Sequence, residues 1–407
     1  MAADLVGRRY ADARRPLLPP EPCGRASADE HRAGRYHQRG GAPNPALGFT
    51  PTYAADPALG LSPWILGLTF DLPIETAGKR GLRLAVARHR IDAASLHATE
   101  IAWQVRHRVR TSLVELQAAT QSADILRRQQ ALQNQTVALL AARLQAGQSS
   151  RTEVQLVRVA AARTALDLSE AHKQISQARV RLAESLGLPV NAIADIALSY
   201  FTLNPLSIAE VGTSRRETLL NRTDVLGALA EYAASQSALQ LEIAKQYPDL
   251  NLGPGYAWDQ GENKFSLGVS LTLPLFNHNE GPIAEAEAHR HEAAAAFTAV
   301  QARAIAEIDA AVAGYRDALS KLATADRLLN DQRERMNSVQ ALFAAGAADR
   351  VELLQAQTEL GLQELARAQT LAEAQLALGQ LDAALQRPAA TTDTPGIAGA
   401  VINPEAE

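Results

Sequence analysis

Residues 265–281 read FSLGVSLTLPLFNHNEG, and residues 64–81 read WILGLTFDLPIETAGKRG. The two stretches are copies of one pattern: Gly67 aligns with Gly268, Leu72 with Leu273 and Pro73 with Pro274. In both, apolar residues take every second position. Trp64, Leu66, Leu68, Phe70 and Leu72 alternate with Ile65, Gly67, Thr69 and Asp71; Phe265, Leu267, Val269, Leu271 and Leu273 alternate with Ser266, Gly268, Ser270 and Thr272. Side chains alternate faces along a strand, so each copy carries one apolar face and one small, mostly polar face. Such a strand is either half-buried in a soluble sheet or part of a membrane barrel, with lipid on one side and water on the other.

Working outward, each copy is preceded by a second strand. ALGFTPTYAA at 46–55 and DLNLGPGYAW at 249–258 align at Pro45/Pro248, Leu47/Leu250 and Tyr53/Tyr256. Each leads into its partner strand, at 63–74 and 264–275, and the pairs read as hairpins. The first connection runs through Asp56, Pro57 and Gly60.

After each hairpin the period changes from two to that of a helix. The first long helix is expected over about 76–146, with Ile125, Leu132 and Leu139 spaced by seven. Some 70 residues at 1.5 Å per residue extend roughly 105 Å, which is coiled-coil rather than globular length. Gly147, Gln148, Ser149 and Ser150 break it. The return helix at 151–186 steps by three and four through Val154, Val157, Ala161, Thr164, Leu168, Ala171, Ile175, Ala178 and Leu182, and stops at Gly187 and Pro189. The second half repeats the scheme with helices at about 223–246, 282–345 and 350–386. GAADRVEL at 346–353 matches GQSSRTEV at 147–154.

The chain is therefore a tandem repeat. Residues 43–189 form the first repeat, 190–221 a connector and 222–388 the second repeat. Residues 1–42 form an irregular Arg-, Pro- and Gly-rich segment, and 389–407 an expected disordered tail. The fold class is mainly α with a small β part, a β-hairpin plus a long coiled-coil helical hairpin in each repeat. Four strands cannot close a barrel, for which about eight are the practical minimum. Several copies must therefore contribute strands, and three would give the even count of twelve common in outer-membrane barrels.

Composition narrows the function. The net charge is −4 with no basic stripe, so nucleic acid is not an expected partner. Cys23 is the single cysteine, which rules out a disulfide within the chain. No apolar run is long enough for a spanning helix, so any membrane crossing must be a barrel. No paired acid and base and no phosphate loop appears, and no enzyme activity, metal site or cofactor is expected. His89, His97 and His107 do not share a helix face, and His289 and His291, two apart, split faces; with His278 they read as exposed polar-face residues.

With these elements in place, residues 44–388 resemble the TolC family of outer-membrane efflux factors. The paired strands, the turns after Pro73 and Pro274, and the two helical tips carry the resemblance. The family pattern at each tip, G-x-x-x-x-x-[DE]-[VL], is met by Gly147 with Glu153-Val154 and by Gly346 with Glu352-Leu353. PIETAGKRG and PLFNHNEG look closest to the heavy-metal (cobalt-zinc-cadmium) branch.

The resemblance implies a homotrimer in the outer membrane of a Gram-negative bacterium, its β-barrel continued by a periplasmic α-helical barrel. It also implies a periplasmic adaptor and an inner-membrane efflux pump as partners. By position, Gly147, Gln148, Gly346 and Ala347 become adaptor-contacting tips. Glu153 and Glu352 become constriction acids, and Arg151 and Arg350 are expected to pair with acids of a neighbour. Trp64, Leu66, Leu68, Phe70, Phe265, Leu267, Val269 and Leu271 become the face toward outer-membrane lipid. The rival reading is a soluble coiled-coil scaffold without transport activity. The sequence departs from the family in its first 42 residues, which lack the apolar core of a signal peptide. They also lack the helix expected at about 20–43, so the chain is expected to be a truncated or misread form of a longer protein.

Overall fold

A computed structural model describes residues 41, 43–55, 62–193, 196, 219–259 and 261–386. The expectations for the N-terminal segment, most of the connector, the tail and the Asp56–Gly60 connection lie outside these residues. The elements in chain order are β1 (Ala46–Tyr53), β2 (Trp64–Ile74), α1 (Lys79–Gln145), α2 (Arg151–Leu186), a 3-10 turn (Val190–Ile193), α3 (Thr223–Ala244), β3 (Leu250–Asp259), β4 (Glu262–Leu271), α4 (Glu280–Ala344) and α5 (Arg350–Leu385). No described helix is long and apolar enough to cross a membrane.

The chain divides into two compact units that do not follow the repeats. The first contains residues up to Glu100 and Thr223–Ala302; the second contains Ile101–Arg222 and the residues from Arg303 on.

In the first unit the strands form one antiparallel sheet in the order β1-β2-β3-β4. The register turns the sequence alternation into two chemically distinct faces. Phe49 pairs with Leu68, Leu68 with Tyr256 and Tyr256 with Phe265; Leu72 pairs with Leu252 and Leu252 with Val269. Cross-strand partners share a face, so one apolar face runs across all four strands. Its side chains are exposed: Leu68 is 42%, Leu267 72% and Phe265 82% accessible. The opposite face carries Thr50, Gly67, Thr69, Asn251, Gly255, Ser266 and Ser270. Its small residues fit closely, since a Cβ on Gly67 would lie 2.7 Å from Thr50 Oγ1.

β4 begins at Glu262 and ends at Leu271, a correction to the expected 264–275. It begins earlier because the β3–β4 turn is tight: Asp259 pairs with Glu262, and Gly261 adopts φ 100°. It ends earlier because Leu275 N–H donates to Leu273 O at 2.9 Å. That closes a three-residue turn centred on Pro274, whose fixed φ suits it and which has no N–H to offer a ladder.

Strand passes to helix through a local lock. Ala77 and Gly78 are left-handed (φ 54° and 69°). The Lys79 ammonium is buried and donates to Tyr247 O at 2.6 Å and to Asp249 Oδ1 at 2.7 Å. Thr76 N–H also donates to Asp249 Oδ1, at 2.9 Å, and Thr76 Oγ1 donates to Pro248 O at 2.6 Å. At the equivalent place in the second repeat, left-handed Asn279 donates through Nδ2 to Glu242 O at 2.8 Å. Replacing Lys79 by Met should destabilise this unit by about 1–2 kcal/mol, the lower part of the range for orphaning a bonded group, because Asp249 is 43% exposed and water replaces some of the lost contact. A lower thermal midpoint for Lys79→Met than for Lys79→Arg checks this.

In the second unit the helices pack as antiparallel pairs. Leu116 of α1 packs with Ala178, Leu182 and Ala183 of α2, and Ile308, Ala311 and Tyr315 of α4 pack with Leu378, Leu381 and Leu385 of α5. The seam of α1 needs correction. Ile125 is buried, but Leu132 and Leu139 are only half-buried, while Ala119, Ala123, Leu126, Gln129, Gln133, Thr136 and Leu140 are buried. Four of these seven inner positions are alanine or glutamine, which a search for large apolar residues passes over. Ion pairs join the two repeats, at Arg110, and brace the second repeat from within, at Arg222. Arg110 pairs with Asp382, and buried Arg222 donates to Glu307 Oε2 and to Ala384 O, both at 2.8 Å. The second of these contacts occupies a carbonyl at the C-terminus of α5, where orphan acceptors are expected.

Candidate functional site

The candidate site is the pair of helical tips, where α1 turns into α2 and α4 into α5. Both turns are built the same way. Gly147 N–H donates to Leu144 O at 3.0 Å and Gln148 N–H to Arg143 O at 2.8 Å; Gly346 N–H donates to Phe343 O at 3.0 Å and Ala347 N–H to Leu342 O at 2.8 Å. These paired bonds satisfy the last helix carbonyls and require a left-handed residue at the glycine position. Gly147 and Gly346 both have φ 74°. Gly147, Gln148, Gly346 and Ala347 are all exposed at the turns.

Beyond the glycines the two tips differ. At the first, Ser150 caps α2: Glu153 N–H donates to Ser150 Oγ at 3.2 Å, and Ser150 N–H donates back to Glu153 Oε2 at 3.2 Å. Ser149 Oγ donates to the same carboxylate oxygen at 2.6 Å. These donors, the Ser149 hydroxyl first, hold the Glu153 carboxyl below its ordinary value of 4.5. Glu153 is therefore a charged, exposed and positionally fixed carboxylate.

At the second tip Asp349 takes the cap position of α5 without closing a capping box. Its carboxylate instead receives both guanidinium arms of Arg143, from the last turn of α1, at 2.6 Å each. Arg143 thus holds Asp349 below its ordinary 3.8, and Asp349 raises Arg143 in return. This two-pronged pair ties the two tips to each other within one chain. Glu352 is exposed in the first turn of α5. Arg350 lies with its guanidinium 5.7 Å from the centre of the Phe343 ring, and Arg151 is exposed.

The residues read from sequence as tips and constriction acids are thus gathered at neighbouring turns. Sequence reasoning missed Arg143 and Asp349, which stand 206 positions apart and leave no local signal. It also missed the cap of α2, although Ser150 followed three residues later by Glu153 is a readable signature. The proposed lipid-side residues lie in the first unit, on the sheet's apolar face. Of the histidines, His97 approaches Glu100 at 3.3 Å and His289 approaches Glu292 at 3.4 Å. No metal-binding cluster is found among the described residues.

Comparison with known proteins follows the same outline. Residues 53–188 and 215–387 match the outer membrane efflux protein family. The cobalt-zinc-cadmium resistance protein CzcC of Cupriavidus metallidurans is 28% identical over 220 residues, 52% of this chain and 50% of that protein. The pyoverdine export outer membrane protein OpmQ of Pseudomonas aeruginosa is 27% identical over 241 residues, 57% of this chain and 50% of that protein. The matches span about half the length of these curated relatives. The outer membrane protein VceC of Vibrio cholerae has the same fold, with a TM-score of 0.72 at 20% identity, covering 89% of this chain and 92% of that one.

Proposed function

We propose that this chain, which belongs to the outer membrane efflux protein family, is the outer-membrane exit duct of a tripartite efflux system. Three copies of the four-stranded sheet close a twelve-stranded barrel, with the apolar face toward lipid and the Gly/Ser/Thr face toward water. The observation that carries this reading is the exposed apolar face running across four strands whose outer members, β1 and β4, are edges. A long apolar sheet with open edges aggregates in water; in a lipid bilayer, closed by copies of itself, it is satisfied on every side. The soluble-scaffold reading gives that face no partner. Tyr53 and Trp64 stack edge to face at one end of the sheet, with Trp258 two register positions in, and aromatic residues there suit a membrane–water boundary.

The duct is passive. An inner-membrane pump supplies the substrate and a periplasmic adaptor docks on the tips, with Gly147, Gln148, Gly346 and Ala347 at the contact. Heavy-metal cations are the favoured cargo, supported by the metal-resistance name of one relative and by exposed Glu153 and Glu352 at the two tips. In a trimer these carboxylates ring the inner end of the tunnel, concentrating cations and excluding anions. Changing both Glu153 and Glu352 to Gln should reduce cation preference in planar bilayers, read as a reversal potential under a salt gradient. An unchanged reversal potential would leave both carboxylates only their role at a helix start. The experiment that separates duct from scaffold is gel migration of the detergent-extracted protein. A duct gives a trimer that heating dissociates, whereas a scaffold needs no detergent.

A further inference from the structure

The apolar face of the sheet does not stop where the strands stop. Its last row on the helix side is Ile74, Leu250 and Leu271, paired across β2, β3 and β4. Beside that row lies an open trough of about 540 Å³, lined almost wholly by apolar surface of Thr76, Ala77, Tyr247, Pro248, Leu250 and Leu271. The wall away from the strands is held by backbone anchors. Lys79 Nζ donates to Tyr247 O and Thr76 Oγ1 donates to Pro248 O, each at 2.6 Å. The lock that joins strand to helix therefore also fixes the shape of the trough. Past Leu271 the chain adds further apolar surface, with Leu275 67% and Phe276 101% exposed.

We infer that this trough is a phospholipid site, which holds an acyl chain of one inner-leaflet phospholipid per copy. The inference rests on the proposed outer-membrane duct and adds a specific ligand to it. Leu250 and Leu271 belong both to the lipid-side face and to the trough, so an acyl chain lying on the face enters the trough without crossing polar surface. No charged side chain lines it. A peptide segment would carry backbone N–H and C=O groups into a place with few polar atoms to satisfy them, whereas an acyl chain carries none. The volume lies in the range of about 300–1,000 Å³ typical of small-molecule sites. The helix-side end of the sheet is the periplasmic end, where the headgroups of the inner leaflet lie. Tyr247, 60% exposed, offers an apolar ring with a polar tip suited to that depth. Arg80, exposed in the first turn of α1 three residues past Ala77, suits a phosphate. Walls already fixed by the Lys79 lock need little ordering on binding, which separates a retained lipid from the exchanging lipid along the rest of the face.

The test is native mass spectrometry of the full chain, extracted from its membrane in mild detergent. The trimer should carry one phospholipid per chain. After delipidation, added phosphatidylethanolamine should rebind and saturate at the same ratio. Leu250→Trp and Leu271→Trp, which fill the trough, should each weaken retention about tenfold, the effect of withdrawing roughly two methylenes from apolar contact. Tyr247→Ala, which removes one wall and leaves the strands untouched, should do the same. Leu267→Trp, on the same face but mid-strand, should keep the lipid. An equal loss in Leu267→Trp would make the lipid part of the general annulus and overturn the site. Intact trimers that bind no phosphatidylethanolamine would also overturn it, leaving a neighbouring copy to cover the trough. All six lining residues lie in one chain, so a monomer that retains one phospholipid, lost in Leu250→Trp, would support the site while overturning the trimer.

Discussion

Leu68→Arg and Leu267→Arg should each abolish the heat-sensitive trimer, while Ser270→Arg should leave it in place with altered conductance. Leu68 sits at the middle of the sheet, facing Phe49 and Tyr256 across its two neighbours, and Leu267 sits mid-strand opposite Pro254. An arginine on the lipid side at mid-depth costs roughly 2–4 kcal/mol per copy, and closure by three copies incurs the cost three times. Ser270 pairs with Asn251 on the opposite face, where water would hydrate the guanidinium. Depth provides an internal control. Leu271 shares the apolar face but closes β4 opposite Leu250 at the sheet's end. Arginine there should cost only about 0–1 kcal/mol, as near a membrane boundary. The measurement is gel migration of unheated and boiled samples, followed by single-channel recording of variants that assemble. Equal tolerance at Leu68 and Ser270 would overturn the barrel reading.

What could be read in the sequence follows from where each signal is local. The sheet was legible because a period of two survives in any strand with dissimilar faces, and because the chain states it twice. The C-terminal end of α2 was legible for the same reason, since Gly187 to Pro189 is short-range chemistry; the Ser150–Glu153 cap at its start is equally local but was passed over. α1 and α4 were legible as long helices, but their inner faces were not. Ala304, Ala311 and Ala318 are buried in α4 alongside Ile308 and Tyr315, and nothing in an alanine-rich sequence says which alanines are inside. The end of β4 was misplaced because alternation continues through Leu273 and Leu275 after Pro274 has turned the backbone. The contacts that set one tip against the other, and α1 against α5, pair residues more than 200 positions apart. The tip residues could be named from a pattern of glycine and acid, but the arginine that joins the tips could not.

That arginine carries the second large effect. Arg143→Ala should raise the open probability of the channel severalfold, and Asp349→Asn should do the same, because either change removes the two-pronged contact between the end of α1 and the start of α5. The expectation from sequence was that Arg151 and Arg350 pair with acids of a neighbouring copy and so hold the end shut. Within one chain Arg143 is the bridging residue, while Arg350 lies over Phe343. Ala at Arg151 or Arg350 should therefore change gating less than Ala at Arg143. Acid provides an independent check. A carboxyl whose folded value is depressed contributes stability that is fully present above its unfolded value and is lost as pH falls through the folded value. Asp349, held down by Arg143, has this sign. Closed-state occupancy should thus be constant at neutral pH and decline only when the pH drops below the ordinary carboxyl value of 3.8. The pair is exposed, so high salt should weaken it by screening. Recording at several salt concentrations should show open probability rising with salt in the unmodified protein and flat in Arg143→Ala. An Arg143→Ala channel with unchanged open probability, at any pH or salt, would mean that the two tips are held by packing of the neighbouring helices and that this ion pair is incidental to gating.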